Sequence, residues 1–259
     1  DLPLLQVQPL LEGVLMFSAD LKSDTLKGLV NIISTLIDEV KFTITPEGMT
    51  LKAVDAAHVA MIEMEVEKCA FDKYEAEDCE IGLDLDKVKD VLKLAASGDV
   101  IGMEQDDTHG RLVFKVGNIT RRMNLVDTTT MSDPKVPQLS LTAKISLPVD
   151  ELQKGIRAAD KISDHITLKA GPGYFDMFCE GDTDSVSLHL DGASVEVDSD
   201  SEVCSMFPLD YFSNIIKAIP AGTTVMVELD NDYPVKLVFS LADGNARVNY
   251  LLAPRIESE

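Results

Sequence analysis

Basic side chains recur at helical spacing in the second half of the chain. Between residues 149 and 163, apolar residues return every three or four positions, which predicts an amphipathic helix. A step of about 100° per residue places Lys154, Arg157 and Lys161 together on the face opposite the apolar one. The stripe itself contains no acid. Bases in such a row can contact the phosphates of a nucleic acid, a contact that carries no sequence information.

The same interpretation extends to three further lysines. Lys27 falls on the polar side of the first predicted helix, and Lys93 and Lys217 occupy matching places in two others. If all four helices lie on one side of their sheets, these bases form one positive surface. A single lysine is more often part of an ordinary solvated helix face, so it is the recurrence that favours phosphate binding. Because this face lacks aromatic residues, base stacking is not expected.

The net charge limits where nucleic acid could bind. The 259 residues include 45 acids and 23 bases, which gives a formal charge of −22. A protein this acidic repels nucleic acid unless its bases are concentrated on one surface, because phosphate contact needs positive charge. Nucleic-acid binding is therefore expected only where the helices present their bases.

The two halves of the chain carry similar segments about 125 residues apart. RLVF at 111–114 returns as KLVF at 236–239, and LDLDKVKDVLK at 83–93 returns as FPLDYFSNIIK at 207–217. A looser third match follows nearly the same offset. Segments that recur in one order at one offset predict two copies of a single domain.

Each copy is predicted to combine two helices with many strands. The helices are expected at residues 26–37, 86–96, 149–163 and 209–218. Ser23 or Asp24 is in position to cap the first of them. Turn signals at 46–48 and 243–244 separate strand-like segments. The pattern predicts an α+β fold in which helices cover one face of antiparallel sheets.

A polar segment separates the two copies. Residues 127–141 contain Pro134 and Pro137, and neither proline suits a helix or a central strand, so an extended surface linker is expected there. The predicted domains are therefore residues 16–126 and 142–259. Residues 1–15 have no clear period and no counterpart in the second half, and we expect a leader or extension outside the fold.

Composition narrows the class of protein further. Hydrophobic residues make up 45% of the chain, enough for well-formed cores. No apolar run approaches the roughly 20 residues of a membrane span, and the first residues lack the basic start of a secretory signal. Four cysteines, Cys69, Cys79, Cys179 and Cys204, match no zinc or CxxC spacing and are expected to be buried free thiols in a reducing cytosol.

Catalytic residues are not expected. Asp55 and His58 could form half of a catalytic dyad, and Cys69 could act as a nucleophile. However, the chain has no nucleophile elbow, glycine-rich phosphate loop, paired catalytic carboxylates or metal-ligand spacing. GPG at 171–173 is typical of a turn. The expectation is a binding protein without cofactor or metal, not an enzyme.

Several short motifs are more distinctive than the composition. In chain order they are MF at 16–17, AVDAAHVAM at 53–61, VP at 136–137, YP at 233–234 and YLLAPRIE at 250–257. Together they resemble the DNA sliding clamps of archaea and eukaryotes, the proliferating cell nuclear antigen (PCNA) family. The resemblance runs from Met16 to the C-terminus, and it is closer to the archaeal type than to the eukaryotic one.

The resemblance implies a ring-forming homotrimer of two-domain subunits. The helices of all three subunits line a hole for double-stranded DNA, and the sheets form the outside. The family's hole-lining bases carry over to Lys27, Lys93, Lys154, Arg157 and Lys217. Ser34 stands where many relatives have a lysine, which weakens the contact expected from the first helix. The implied function is that of a DNA polymerase processivity factor, which slides because its hold on DNA is topological.

The family also implies a pocket beneath the interdomain linker for the PIP-box peptides of partner proteins. Carried over by position, its lining is Val54, His58, Val136, Pro137, Pro234, Tyr250, Leu251, Ala253 and Pro254. An apolar cup beside an extended linker can accept an apolar plug, and the tail backbone can pair with an extended peptide. His58 alone is more typical of a turn residue, but its family position favours a hydrogen bond to the partner. Pro134 stands where the family usually has a bulky apolar residue.

The resemblance also implies partners and a location. The partners are DNA polymerase, clamp loader, flap endonuclease, DNA ligase and other PIP-box proteins, with no membrane. The strands that pair between subunits are expected at 111–116 and 184–190. The implied location is the cytoplasm, at the nucleoid, for an archaeal protein and the nucleus for a eukaryotic one. Two alternatives stay open: a subunit of a heterotrimeric clamp, or a scaffold that works outside replication.

Overall fold

The two halves of the chain contain the same elements in the same order. The computed structural model describes residues 16–256, so the predicted leader at 1–15 lies outside the described residues. Within that range each half has nine strands and two helices. One helix follows the first strand of its half, and the other precedes the last three strands. The predicted α+β fold and its duplication are confirmed.

The strands are short and pair in antiparallel fashion. In the first half they are β1 (Phe17–Lys22), β2 (Glu39–Thr45), β3 (Gly48–Val54), β4 (Ala60–Glu67), β5 (Lys73–Ala76), β6 (Cys79–Asp84), β7 (Val100–Asp106), β8 (Arg111–Val116) and β9 (Ile119–Asn124). In the second half they are β10 (Ala143–Pro148), β11 (His165–Gly171), β12 (Tyr174–Glu180), β13 (Ser185–Asp191), β14 (Glu196–Asp198), β15 (Val203–Pro208), β16 (Thr224–Leu229), β17 (Val235–Leu241) and β18 (Ala246–Leu252).

Three of the four helices are shorter than predicted. The helices are α1 (Ser23–Ile33), α2 (Leu85–Leu92), α3 (Val149–Ala159) and α4 (Leu209–Ala218). α4 has its predicted bounds, whereas each of the others ends four residues early. The chain continues past each early end in tight turns, such as the bond from Leu94 N to Val91 O. Apolar side chains in these turns extend the helical pattern of the sequence beyond the helix itself.

Neither Ser23 nor Asp24 caps α1 as predicted. Lys22 occupies the N-cap position, and no side chain bonds to the first turn. Instead, Ser23 Oγ donates to Ala96 O at 2.7 Å, and Asp24 accepts a 2.8 Å hydrogen bond from Ser97 Oγ. The bond from Ser97 lowers the pKa of Asp24. These contacts tie the start of α1 to the turn after α2.

The strands form three sheets, and the largest joins the two halves. Their strand orders are β5-β1-β7-β8-β9, β13-β12-β11-β15 and β6-β2-β3-β4-β18-β17-β16-β10-β14. In the nine-stranded sheet, β4 of the first half pairs with β18 of the second, with Ala60 opposite Leu252 and Val66 opposite Ala246. One continuous sheet therefore crosses the boundary between the copies.

The strand orders correct one prediction about sheet edges. The segment 111–116 is β8, which pairs with β7 on one side and with β9 on the other, so it is not an edge. The edge of that sheet is β9, because one further strand follows β8 by a tight turn. The second predicted edge, 184–190, corresponds to β13, which pairs only with β12 and lies at the end of its sheet.

The helices form one layer on one face of the sheets. α1 packs on α2, α3 packs on α4, and α1 also contacts α4 across the boundary between the halves. Their inner faces are fully buried at Ile33, Val91, Leu152 and Ile216. Burying an aliphatic side chain of this size contributes about 1.5–3 kcal/mol. Residues on the opposite faces of these helices are left to form one contiguous surface.

Just before the linker, the chain runs beside the edge strand β6. Val126 forms an isolated bridge to Gly82, with a 2.9 Å hydrogen bond from Val126 N to Gly82 O. A Cβ at position 82 would lie 2.3 Å from the Val126 carbonyl oxygen, so only glycine permits this approach. The outer edge of β6 is thereby covered.

Residues 127–142 contain no helix or strand and lie across the outer face of the nine-stranded sheet, opposite the helices. Asp133 forms an ion pair with Lys41 of β2. Farther along, Thr142 N donates to Asp230 after β16 at 3.3 Å. The linker therefore runs across the strands of the sheet, from β2 toward β16, before β10 begins.

The cysteine prediction is partly wrong. Cys179 is buried, but Cys69 is exposed, and Cys79 and Cys204 are half-buried. Cys69 lies in a single helical turn at the end of β4, on the surface, where the sequence pattern gave no signal. All four are free thiols. No helix within residues 16–256 is long and apolar enough to span a membrane.

Candidate functional site

The outer surface of the helix layer carries most of the predicted bases. Counting the residue that ends α2, the helices hold seven bases and six acids. The bases are Lys27, Lys87, Lys89, Lys93, Lys154, Arg157 and Lys217, and the acids are Asp24, Asp86, Asp90, Asp150, Glu151 and Asp210. The layer is thus close to neutral on a chain whose formal charge is −22. The helices are therefore much less acidic than the chain as a whole.

Four of these seven bases form an ion pair with an acid three positions before them: Lys87, Lys89, Lys93 and Lys154. Two of the four are bases predicted from the sequence. Lys154 Nζ lies 2.6 Å from Glu151 Oε1, and Lys93 Nζ lies 2.8 Å from Asp90 Oδ1. The predicted stripe contains no acid of its own, but Glu151, one turn before Lys154, pairs with its first base. Exposed ion pairs of this kind contribute little to stability, because water screens the charges. A phosphate can replace either carboxylate at small cost.

Arg157 and Lys217 are the least constrained of the predicted bases. Both are exposed, and neither forms an ion pair with any residue of the described range. Lys217 lies in the last turn of α4, where a cation also offsets the partial negative charge of the helix end. These two side chains are available to an anion without breaking an existing contact.

Lys27 is less available than predicted. It is half-buried, and its Nζ donates to Ala95 O at 3.1 Å, in the turn after α2. This bond helps to join α1 to α2. Ser34 ends α1, and its hydroxyl is buried without a hydrogen-bond partner among residues 16–256. Of the helices, α1 therefore offers the weakest contact to phosphate.

Lys161 does not lie on the helix face to which the sequence assigned it. α3 ends at Ala159, and Lys161 has a φ of 66°, in the left-handed region that is uncommon for residues with a Cβ. Its side chain lines a cavity of about 750 Å³ together with Asp160, Asp164 and His165. The chain leaves the helix before Lys161, so the helical projection no longer applies there.

A smaller cavity, of about 200 Å³, lies beneath the linker. We call it the linker cavity, and its lining is Met61, Glu63, Val136, Pro137, Gln138, Leu139, Lys236, Asn249 and Leu251. Three of the predicted pocket residues are in this set: Val136, Pro137 and Leu251. The linker supplies the roof, and β4, β17 and β18 supply the floor.

Val54 belongs to the same outer row of side chains. It lies opposite Met61 in the β3–β4 ladder, and Met61 lies opposite Leu251 in the β4–β18 ladder. Residues in register across antiparallel strands point to the same face with Cβ atoms about 4.5–5.5 Å apart. The sequence prediction did not include Met61, although alternation along the strand could have placed it there. In β4 it shares a face with Glu63 and Glu65, whose charges indicate the outer face of the sheet.

Tyr250 does not line this cavity, contrary to the carried-over assignment. Its side chain is 1% exposed and alternates with Leu251 along β18, so it points toward the helices. Burial raises the pKa of the Tyr250 hydroxyl. The assignment failed because neighbouring residues of a strand face opposite sides of the sheet.

The remaining predicted pocket residues lie outside the linker cavity. Ala253 and Pro254 line that cavity, and His58 is exposed on the adjacent turn with a φ of 56°. Pro234 is half-buried at the entry to β17. The single pocket predicted from the sequence is therefore a pair of neighbouring cavities, one beneath the linker and one beside the C-terminal tail.

Asp55 builds the turn that presents His58. Its carboxylate accepts hydrogen bonds from Val59 N at 2.7 Å, Ala60 N at 2.9 Å and the Tyr211 hydroxyl at 2.6 Å. Burial alone would raise the pKa of Asp55, but these bonds outweigh it and hold the pKa below its usual value. Asp55 thus anchors a loop. Within the described part of the chain, no group of His, Cys, Asp and Glu residues has the geometry of a metal site.

Comparison with known families identifies the fold. The N-terminal domain of proliferating cell nuclear antigen matches residues 16–133, and its C-terminal domain matches residues 135–255. The chain belongs to the proliferating cell nuclear antigen family. The resemblance drawn from the motifs at 53–61 and 250–257 is confirmed.

Archaeal members of the PCNA family are similar over their whole length. A protein of Methanococcoides burtonii named DNA polymerase sliding clamp is 42% identical, over 94% of this chain and 100% of the relative. Proteins of the same name from Methanosarcina barkeri and Natronomonas pharaonis are 41% and 35% identical over the same shares. The similarity to archaeal PCNA agrees with the type indicated by the sequence.

Solved PCNA structures share this architecture. The structure of the C-terminal region of FEN-1 bound to A. fulgidus PCNA matches with a TM-score of 0.89 at 34% identity, over 94% of this chain and 100% of that one. PCNA from Thermococcus kodakaraensis matches with a TM-score of 0.86 at 23% identity, over 93% and 100%, which is agreement in fold. The A. fulgidus PCNA is therefore a relative that holds a segment of another protein.

Proposed function

We propose that this chain is a DNA polymerase sliding clamp: three copies form a ring that encircles double-stranded DNA, slides along it and tethers replication and repair proteins. The main support is a strand junction within the chain that can be repeated between copies. Within the chain, β4 of the first half pairs with β18 of the second, and the equivalent strands β13 and β9 are open at the ends of their sheets. Pairing β9 of one copy with β13 of the next repeats that junction.

The equivalence of these strands follows from the strand orders. The order β6-β2-β3-β4 in the first half corresponds to β15-β11-β12-β13 in the second. Likewise β18-β17-β16-β10-β14 corresponds to β9-β8-β7-β1-β5. A head-to-tail pairing of unlike edges closes into a ring when its rotation allows closure. Three copies then supply six similar domains around one hole.

The other long edges of the sheets are already covered. Val126, just before the linker, bridges β6 at Gly82. Along β15, Met206 O accepts a 2.7 Å bond from Arg255 N, and Cys204 N donates to Asn231 at 2.8 Å. β5 and β14 have only four and three residues. Open edges attract further strands, so β9 and β13 are the surfaces most in need of a partner.

The two open edges also differ in charge. β9 carries Arg121 and Arg122 and no acid. The segment 180–191, which contains β13, carries four acids and no lysine or arginine. Complementary charges favour the encounter of unlike edges and disfavour pairing of like ones. This supports a head-to-tail arrangement and a homotrimer.

The helix layer is the surface that we assign to DNA. In the ring it faces the hole, with Lys93, Lys154, Arg157 and Lys217 toward the phosphates. The contacts carry no base readout, and the acidic remainder of the chain prevents tight adhesion, so the duplex stays mobile inside the ring. Retention is then topological, and no catalytic step, metal or cofactor is required.

The linker cavity and the larger cavity beside the tail are the surfaces that we assign to PIP-box partners. Val54, Met61, Val136 and Leu251 offer an apolar floor and roof, and Ala253 lies at the start of a tail whose backbone can pair with an extended peptide. A relative binds the C-terminal region of FEN-1. By the same chemistry we propose DNA polymerase, clamp loader, flap endonuclease and DNA ligase as partners, at the nucleoid of an archaeal cytoplasm.

Retention on circular DNA tests the central claim. The protein is loaded by a clamp loader onto nicked circular DNA and isolated by gel filtration, after which the DNA is linearised with a restriction enzyme. Topological linkage predicts retention on the circle and escape from the free ends in high salt. Equal retention on both forms would show that ordinary affinity, not encirclement, holds the protein.

A heterotrimeric clamp is the remaining alternative in assembly. Light scattering of the purified chain distinguishes the two, because a homotrimer has three times the 28.3 kDa mass of one chain without any other subunit. A stable monomer or dimer would favour the alternative. The domain boundaries at residues 126 and 142 stay a prediction, which proteolysis within 127–141 can test.

A further inference from the structure

Lys41 and Asp133 tie the linker to the sheet. Lys41 projects from the outer face of β2, and its side chain is only 9% exposed. Its Nζ lies 2.8 Å from Asp133 Oδ1 of the linker and 3.7 Å from Glu80 Oε1 of β6. The hydrogen bond to Asp133 raises the pKa of Lys41, so the ammonium is charged throughout the neutral range.

This ion pair is the last polar tether before the roof of the linker cavity. Among the described residues, none of 134–141 takes part in a hydrogen bond, and the next polar contact is that of Thr142 N with Asp230. Leu141 is buried near the far end. The roof residues 136–139 therefore span between two polar contacts, that of Asp133 three positions before them and that of Thr142 three positions after them.

We propose that Lys41 and Asp133 are positioning residues for the partner-peptide pocket, holding the linker across the sheet so that its roof is in place before a peptide arrives. The inference rests on the proposed function of this pocket. A roof already in place lowers the ordering cost of binding. When the tether is removed, only a fraction of the molecules has the roof in position, and the apparent affinity falls by that fraction.

Glu80 provides a matched control for Asp133. Asp133→Asn and Glu80→Gln each remove one carboxylate charge beside the same ammonium, but only the first residue belongs to the linker. A direct effect of charge on a peptide is similar in the two variants. A tethering effect appears in Asp133→Asn alone. A swapped pair, Lys41→Asp with Asp133→Lys, restores the tether with its polarity reversed.

Methyl NMR relaxation of the unliganded protein measures the tether itself. We expect the order parameters of the Val136 and Leu139 methyl groups to fall in Asp133→Asn, because the linker has lost its polar contact with β2. Glu80→Gln keeps the original values, and the methyl groups of Val40 in β2 and Ile81 in β6 are alike in all three proteins. Unchanged order parameters of the linker methyl groups in Asp133→Asn contradict the tether.

Titration of a fluorescein-labelled PIP-box peptide measures the positioning role. We expect the Kd of Asp133→Asn to rise about 3- to 10-fold, with recovery in the swapped pair and little change in Glu80→Gln. The difference should shrink at 1 M salt, where the Debye length falls to about 3 Å and the original pair is weakened. Unaltered affinity in Asp133→Asn overturns the positioning role alone. Failure of the unaltered protein to bind the peptide overturns the proposed pocket, and the positioning role with it.

Discussion

The carboxylate of Asp55 in the first half accepts a 2.6 Å hydrogen bond from the hydroxyl of Tyr211 in the second half. Asp55 is 6% exposed and also receives backbone N–H groups from the loop that it organises. Tyr211 lies on α4, in the helix layer. This hydrogen bond thus joins the loop that carries His58 to the helix layer that we assign to DNA. Its loss should lower the free energy of unfolding.

Tyr211→Phe removes this bond while keeping the ring in place. A hydrogen bond to a charged group contributes about 1.5–3 kcal/mol, and because Asp55 keeps its backbone donors we expect a loss near the lower end, about 1.5 kcal/mol. Urea unfolding at one fixed protein concentration measures it, since assembly makes stability depend on concentration. Tyr233→Phe is the control, because Tyr233 is 56% exposed. Equal losses in the two variants would contradict a specific bond.

The same bond makes stability depend on pH in the alkaline range. The hydrogen bond to Asp55 raises the pKa of Tyr211 to about 12 from its usual 10. A folded-state pKa above the unfolded one gives a contribution that is complete below pH 10 and is lost as pH rises toward 12. The stability difference between the unaltered protein and Tyr211→Phe should therefore shrink between pH 10 and 12. A constant difference across that window would show that the hydroxyl titrates normally.

The sequence predicted the elements of this fold better than their contacts. Apolar periodicity located all four helices, because a helix that packs on a sheet needs an apolar stripe. The same periodicity predicted an α3 that was too long and so placed Lys161 on a helix face. It continued past the end of the helix because the turn that follows also buries apolar side chains. The acid that pairs with Lys154 was also overlooked, although Glu151 lies three positions before it.

Some site residues could be predicted, and one error came from the alternation of side chains between the two faces of a strand. Val136, Pro137 and Leu251 line the linker cavity as the family position indicated. Tyr250 was assigned to the wrong face. The Lys41–Asp133 pair joins positions about 90 residues apart in sequence. No local sequence pattern indicates such a contact, because it depends on how the linker lies across the sheet.

Charge reversal on the helix layer should impair action on DNA without affecting partner binding. The variant is Lys154→Glu with Arg157→Glu and Lys217→Glu. Reversing three bases per copy makes the proposed hole strongly acidic, and we expect at least a 10-fold loss of clamp-dependent primer extension at low salt, because phosphate contact depends on positive charge. Peptide titration should give an unchanged Kd.

The matched control places the same reversals on the outer faces of the sheets. Lys115→Glu, Lys144→Glu and Arg247→Glu change the net charge equally at exposed positions on the opposite side of the molecule. This control should extend primers normally. Impairment of both variants to the same degree would mean that total charge matters and that the helix layer has no special role.

A charge introduced into the linker cavity should abolish peptide binding. Val136→Glu places a carboxylate in the roof above Met61 and Leu251, where a docked peptide would bury it unpaired. Burying such a group costs several kcal/mol, so we expect the Kd to rise at least about 100-fold by calorimetry. Ser140→Glu is the control, because it adds the same charge to an exposed linker position outside the cavity lining. Normal binding by Val136→Glu would remove the cavity from the proposal.

Ring assembly should depend on the arginines of the open edge β9. Arg121→Glu with Arg122→Glu places acids on an edge that we pair with the acidic segment 180–191, and like charges across an interface cost several kcal/mol. We expect the mass by light scattering at micromolar concentration to fall from three chains toward the single 28.3 kDa chain. Unaltered protein should also dissociate more readily as salt screens the attraction.

Two further variants determine whether this effect is local to β9. Lys68→Glu with Lys73→Glu makes the same change in net charge away from β9, at Lys73 on the opposite edge strand β5 and at Lys68 in the turn before it. Both side chains are about half exposed, and this variant should leave the trimer intact. Adding Asp182→Arg and Asp184→Arg to the β9 variant restores opposite charges and should recover assembly. If the compensated protein stays monomeric while folded, the β9 edge does not face the segment 180–191, and the ring must close through another pair of strands.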